Sequence, residues 1–434
     1  MHVLEEEITE EAEQMKNVKA SEIKAGLLAN LHYFFKWLLI SVLIGSIGGV
    51  AGTIFSYGVA WATDFRLSNR YMLFYLPAAG LLIIWMYRTF HEEGNRGTNM
   101  VIDAISSNEK VTAATGPLIF VSTILTHLTG GSAGREGAAL QLGGSIGNSL
   151  GHVMRLDEKD EKIAIMCGMS AVFAALFGTP VAAGVFSLEV VSIGVLYYAA
   201  LVPCIFSAYI GVGIARVAGL SGERFLIGSI PPVTIGTAAL IVILGILCAG
   251  VSIVFCIMLH YSEYGYRRFF PNPYIRILAA SGIFIVLTLL AGTREYCGSS
   301  MQLIESSIEG KAQYEAFFLK MIFTAVTLGA GFKGGEIVPT LCVGAAFGCA
   351  MGRFMDFSPS LCSACGMAAL FAGVTNCPIT SLIIALELFG YEGMEYFSII
   401  IAVSFALSGY YGLYASQKFV YSKTKTEFIN RRSR

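Results

Sequence analysis

Apolar residues in this chain run in long unbroken stretches instead of recurring on one face at helical spacing. Trp37–Phe55, Tyr71–Met86, Leu240–Leu259 and Ile277–Ala291 carry no charged residue, and a straight helix crosses a bilayer in ~20 such residues. Charge gathers in the first 25 residues, in the connections 88–96, 155–162 and 267–276, and in the last 17 residues. The pattern predicts a bundle of membrane-spanning helices. Glu5, Glu6, Glu7, Glu10 and Glu11 occupy the region where a cleavable signal peptide needs a basic start and an apolar core. A cytoplasmic, partly amphipathic helix is expected there instead, over residues 1–30. Lys418, Lys423, Lys425, Arg431, Arg432 and Arg434 make residues 416–434 a basic tail, expected on the cytoplasmic side.

Of 434 residues, 55% are apolar and 14% charged, whereas soluble domains are about one quarter charged. Soluble cores could not hide that much apolar surface. The 29 Lys and Arg against 30 Asp and Glu leave a net charge of −1, which excludes a nucleic-acid-binding protein. Disorder and a disulfide scaffold are excluded by the apolar content and by there being only 10 cysteines. The fold class is therefore an all-α polytopic membrane protein.

Two apolar segments are too broken to cross a bilayer cleanly. Residues 130–151 read GGSAGREGAALQLGGSIGNSLG, with eight glycines around one Arg-Glu pair, and residues 329–352 read GAGFKGGEIVPTLCVGAAFGCAMG. Irregular backbone at membrane depth persists only where protein covers it or water lines it, and such breaks mark the binding centres of many transporters. The chain also repeats itself. Gly168–Glu189 and Gly366–Glu387 both open on Gly-Met, place Pro 12 residues later and end on Leu-Glu, at an offset of 198. Gly134, Leu140, Gly143 and Gly147 match Gly335, Leu341, Gly344 and Gly348 at an offset of 201. Two homologous halves follow, residues 31–215 and 235–415 joined by a linker over 216–234, with the substrate expected at their interface. Spacing alone leaves open whether the halves are inverted.

Glycines in GSAGREGAA let backbone N–H groups approach an ion closely. A helix starting just beyond brings about half a positive charge to that point. Two such starts, one from each half, offer converging donors to a small anion without the tight grip of full cations. Glu136 then stands where the anion would be. Protonated, it becomes neutral and can leave, which couples a proton to anion movement.

GREG followed by Gln141, the GGEIVP stretch and the paired Gly…Pro…Leu-Glu segments resemble the CLC family of chloride channels and anion/proton exchangers, over about residues 30–415. The resemblance implies a homodimer with one pathway per subunit, each built of two inverted halves of tilted and broken helices. It makes Glu136, within Gly134-Arg135-Glu136-Gly137, the external gate and proton carrier. Gly335 to Pro339 matches the family's G-x-F-x-P segment, with Ile337 at the usual Phe and Val338 beside it; Tyr414 falls at the pore tyrosine. Gly97 to Val101 takes the place of G-S-G-I-P, with Thr98 at the pore serine and Asn99 next to it. Gly134, Arg135, Gly137, Thr98, Asn99, Gly335, Ile337, Val338 and Tyr414 are thus the expected anion-binding residues, and Glu136 and Glu336 the proton-transfer pair. Ala138 replaces the usual Pro, and Val190 replaces the glutamate that relays protons in chloride exchangers. With Glu336 as an extra carboxylate, these departures resemble the family's fluoride/proton exchanger branch. That branch commonly places Met at the pore serine, whereas this chain has Thr98, with Met100 two residues on.

Plainer readings exist for each residue. Glu136 could neutralise a helix N-terminus or pair with Arg135, Glu336 could pair with Lys333, Tyr414 could belong to an interfacial belt, and Thr98 could cap a helix. Glu189 and Glu387 are expected to anchor loops or backbone, and His127 to pack. Cys362 and Cys365 form a C-x-x-C with no second pair, so no metal or cofactor is expected. An embedded enzyme is discounted for want of a nucleophile–base or metal constellation. The expected activity is proton-coupled antiport that exports fluoride across a bacterial plasma membrane, with both termini cytoplasmic. Chloride/proton antiport and a passive chloride channel are the alternatives.

Overall fold

Prolines, glycines and polar caps set where the apolar runs become helices. A computed structural model describes residues 2–107, 109 and 111–433, with side chains from residue 23 onward. The first half contains α1 (His2–Ser68), α2 (Leu76–Thr89), α3 (Thr98–Ser107), α4 (Thr115–Thr129), α5 (Glu136–Val153), α6 (Glu158–Phe177), α7 (Pro180–Glu189) and α8 (Leu201–Val217). The second contains α9 (Ile235–Phe269), α10 (Pro273–Ala291), α11 (Met301–Ile308), α12 (Ala316–Gly329), α13 (Ile337–Phe354), α14 (Pro359–Thr375), α15 (Pro378–Phe389) and α16 (Met394–Leu407). The helix expected over residues 1–30 runs without a break into the first span.

The two series match helix for helix. α5 packs on α6 as α13 packs on α14, α1 on α8 as α9 on α16, and α4 on α5 as α12 on α13. Their caps match too. Asp157 accepts from Lys159 N and Asp160 N at the start of α6, and Ser358 accepts from Leu361 N at the start of α14. Left-handed Gly178 and Asn376 end the same two helices, the conformation that closes many helix C-termini. Pro180 and Pro378 both open their helices, where the missing N–H costs nothing.

Where the halves touch, equivalent helices meet: α2 with α10, α5 with α13 and α7 with α15. Gly134 and Gly335 exchange two reciprocal hydrogen bonds of 2.7 Å as an antiparallel pair. Elements that pair with their own equivalents in antiparallel sense lie on a two-fold axis, so the halves are inverted. This resolves what spacing left open.

Six described helical stretches are long and apolar enough to span a bilayer, while Thr115–Thr129, Pro180–Glu189, Ala316–Gly329, Pro359–Thr375, Pro378–Phe389 and Met394–Leu407 are apolar but have only 10–17 residues. Three of them, Thr115–Thr129, Pro180–Glu189 and Ala316–Gly329, begin and end on buried residues.

Close crossing of the broken helices explains the glycine spacing. A Cβ on Gly168 would lie 2.0 Å from Gly143 O, and one on Gly366 would lie 2.2 Å from Gly344 O. Neither backbone can yield without parting the helices. Gly168→Leu is therefore expected to cost at least the ~3 kcal/mol of severe overpacking, and size-exclusion chromatography of the variant should show aggregate in place of the wild-type peak. A monodisperse, wild-type-like variant would show that the crossing is not tight.

The basic tail departs from a purely helical plan. Lys418–Tyr421 and Phe428–Arg432 form strands β2 and β3, which join β1 (Ser192–Ile193) in a sheet of order β1-β2-β3. Lys423 is not a solvated tail charge. Its ammonium donates to Asn376 Oδ1 (2.5 Å), Ser408 Oγ (2.9 Å) and Phe405 O (3.1 Å), and so ties the tail to the ends of α14 and α16.

Candidate functional site

The Gly134–Gly335 pair sets the starts of α5 and α13 side by side, because each helix begins within two residues of its glycine. The first intrahelical bonds are Ala139 N to Arg135 O and Thr340 N to Glu336 O. The N–H groups before them, including those of Gly137, Ile337 and Val338, have no acceptor within their helices. Two positive helix ends thus point at one region.

A carboxylate sits at each end. Glu136 is 1% exposed, and its side chain folds back on its own helix start, accepting from Arg135 N at 2.9 Å and from Arg135 Nε at 3.3 Å. Arg135 in turn donates to Ser56 Oγ (3.2 Å) and Glu223 Oε1 (3.0 Å), so its charge is shared between two acids.

Glu336 is the N-cap residue of α13, with helical backbone and no side-chain capping bond. Its Oε2 is buried without a hydrogen-bond partner among the described residues. A Cβ on Gly137 would lie 3.0 Å from that oxygen and 3.5 Å from Thr98 Oγ1. The nearest atom to that Cβ would be Gly335 Cα, at 2.8 Å, so glycine at 137 lets the starts of α5 and α13 approach each other closely. The ion pair with Lys333 is not formed. The Lys333 ammonium instead lies over the Tyr87 ring, 4.3 Å from its centre.

Thr98 is buried at the start of α3 and donates to Gly137 O at 3.3 Å. Asn99 Oδ1 accepts from Ser416 N at 2.9 Å, which ties α3 to the segment carrying Tyr414. Tyr414 is 1% exposed, and its hydroxyl has no partner among the described residues. Such orphaned buried groups are uncommon. Here Glu336 Oε2, Tyr414 Oη and Gln141 Oε1 are all unpartnered among the described residues.

Two residues outside the expected set matter. Gln141 donates from Nε2 to Gly137 O at 3.3 Å. Asp103, buried on α3, accepts from Ser416 Oγ at 2.5 Å and pairs with Arg96 at 3.2 Å. Its position one helical turn after Asn99 was the signal available in the sequence.

Glu189 and Glu387 exchange ends across the two-fold axis. Glu189 accepts from Ile379 N (3.1 Å), Thr380 N (2.8 Å) and Thr380 Oγ1 (2.6 Å) at the start of α15. Glu387 accepts from Val181 N (3.1 Å) and Ala182 N (3.0 Å) at the start of α7. Both oxygens of Glu189 are therefore occupied, and Val190 beside it is fully buried and apolar. Glu189→Ala should lose about 2–3 kcal/mol of stability, since charge-assisted hydrogen bonds contribute more than neutral ones. Thermal unfolding checks the loss. Flux assays on the folded fraction should show unchanged proton coupling, and loss of coupling there would place Glu189 on the proton path.

The family model described as voltage gated chloride channel matches residues 79–409. The chain is 31% identical over 400 residues to a chloride/fluoride channel protein of Pseudomonas syringae pv. tomato, covering 91% of this chain and 88% of that protein. It is 26% identical over 385 residues to the H+/Cl− exchange transporter ClcA of Yersinia pestis, covering 81% and 80% of the two chains. Among solved structures, a CLC-type fluoride/proton antiporter superposes with a TM-score of 0.85 at 30% identity, over 88% of this chain and 98% of the other. A slow cyanobacterial Cl−/H+ antiporter shares the fold with a TM-score of 0.75 at 19% identity, over 86% and 94%.

Proposed function

The chain belongs to the voltage-gated chloride channel (CLC) family, and from that premise we propose that it is a proton-coupled anion antiporter whose physiological anion is fluoride. One observation carries the reading: two helix starts from opposite halves converge, and each holds a buried carboxylate, Glu136 on one and Glu336 on the other. An ionised Glu136 satisfies the start of α5 and excludes the anion. Protonation removes its charge, releases it from the N–H groups and opens the place to an anion. The proton then needs a second carrier. Glu189 is held at the start of α15 and Val190 carries no proton, so Glu336, with its unpartnered oxygen against Gly137, takes that role.

Fluoride suits this lining. It is small and strongly hydrated, so only short, well-aimed donors replace its water. The helix N–H groups, the Tyr414 hydroxyl, Thr98 and a protonated Glu336 are such donors. The likeness to a chloride/fluoride channel protein and to a fluoride/proton antiporter supports the same anion. Gly134, Arg135, Gly137, Thr98, Gly335, Ile337, Val338 and Tyr414 line the path in this reading, and Asn99 positions Tyr414. In this reading the protein is a homodimer with one pathway in each subunit. Residues 31–215 and 235–415 are the two repeats, residues 216–234 link them, and both termini lie in the cytoplasm of a bacterial plasma membrane.

Liposomes loaded separately with fluoride or chloride test the selectivity. The purified protein should empty fluoride-loaded vesicles and leave chloride-loaded vesicles nearly full. Equal emptying of both would favour a chloride/proton antiporter or channel.

A further inference from the structure

A cavity of about 290 Å³ opens beside Glu136 and reaches the C-terminal end of α1 and the N-terminal end of α11. Arg135 faces it but is engaged by Glu136 and Glu223. Arg66 faces it too, and its situation differs. It is 7% exposed, forms no ion pair among the described residues, and its Nε is buried with no hydrogen-bond partner. A guanidinium in that state is costly unless something negative meets it.

The surroundings add to the positive charge. Lys320 is fully buried behind Arg66, and its ammonium donates only to uncharged oxygens: Gly298 O and Ser300 Oγ at 2.8 Å, Ser132 Oγ at 2.9 Å and Tyr296 O at 3.3 Å. The loop it holds also lines Arg66, since a Cβ on Gly298 would lie 3.1 Å from Arg66 Nη2. Leu303 N and Ile304 N both bond Ser300 O. The N–H groups of Met301 and Gln302, residues that line the same cavity, are left without an acceptor in α11. Asp64 and Glu295, the remaining carboxylates of the lining, are solvent-exposed.

We propose that Arg66 and the start of α11 form a capture site for a small monovalent anion at the mouth next to Glu136, separate from the path between α5 and α13. The antiporter reading identifies the physiological ligand as the transported anion. The existence of the site rests on Arg66, its cavity and the start of α11, independently of that reading. Lys320, behind Arg66, and Arg294, a further cation of the cavity lining, raise the local anion concentration.

Bromide, a monovalent anion visible by anomalous scattering, tests the site directly. Crystals of the full chain soaked in bromide should show a peak beside the Arg66 guanidinium. Arg66→Gln should lose it while keeping the fold, and Arg66→Lys should keep it. In proteoliposomes, Arg66→Gln should raise the half-saturating fluoride concentration at low salt by at least about fivefold, the effect of one unit charge a few ångströms from the ion, and the difference should shrink at high salt. An empty cavity in the wild type, or an unchanged peak in Arg66→Gln, would overturn the proposal. Bromide bound at Arg66 in a protein that moves no fluoride would sustain the site and refute the antiporter reading. Fluoride/proton exchange with no anion at Arg66 would do the reverse.

Discussion

Glu136→Gln and Glu136→Ala are each expected to abolish proton transport outright. The carboxylate is 1% exposed and lies on the N–H groups that open α5, where it can leave only by taking up a proton. Neither replacement can bind and release one at any accessible pH. Alanine also vacates the place, so fluoride should pass through Glu136→Ala down its gradient without moving protons. Glutamine keeps the bulk without the charge, so Glu136→Gln should carry fluoride more slowly than Glu136→Ala. A pH electrode outside fluoride-loaded liposomes reads the result. Uphill proton uptake at the wild-type rate in either variant would remove Glu136 from the mechanism.

The second large effect is expected at Glu336. Its Oε2 is buried and unpartnered, and Lys333 is held over the Tyr87 ring instead of against it. Glu336→Gln therefore breaks no ion pair, and as a near-isosteric change it should alter stability by less than ~1 kcal/mol. The proton-to-anion ratio should nonetheless fall by roughly 10²-fold or more, the scale of losing a positioned proton carrier. Glu336→Ala should in addition shift preference from fluoride toward chloride, because it removes a charge and a strong hydrogen-bonding group from the lining. Flux and thermal unfolding must be measured on the same preparations. Intact coupling accompanied by a loss of the roughly 3–5 kcal/mol typical of a broken buried pair would refute the relay role and restore the structural one.

The repeat is what made this molecule legible from its string of residues. Offsets of 198 and 201 marked Gly134 with Gly335 and Glu189 with Glu387 as equivalents, and the structure pairs the first two directly and crosses the other two. Glycine spacing in residues 130–151 followed from the backbone crossing at Gly143 and Gly168. Inversion was not legible, because equal offsets arise in parallel and antiparallel repeats alike. Long-range partners were also hidden. Lys333 meets Tyr87, and Asp103 meets Ser416, through contacts set by the two-fold packing and not by local sequence. Arg66 was not legible as a site at all, since nothing in its sequence neighbours announces that the cavity leaves it unpaired. Lys423 misled in the opposite sense. A charge near a chain end is usually solvated, but this one is held by oxygens of Asn376, Phe405 and Ser408 that precede it by 15 or more residues.

The central claim is that anion and proton movements are one event, joined at Glu136 and Glu336. Its most direct test is a reversal experiment on the wild-type protein. Liposomes with equal pH on both sides and a tenfold fluoride gradient directed outward should take up protons as fluoride leaves, acidifying the interior against a rising proton gradient. A second preparation, with equal fluoride and an imposed pH gradient, should drive fluoride uphill in the opposite direction to the protons. Fluoride efflux that leaves internal pH unchanged, together with no fluoride movement under the pH gradient, would contradict the account and leave a passive channel.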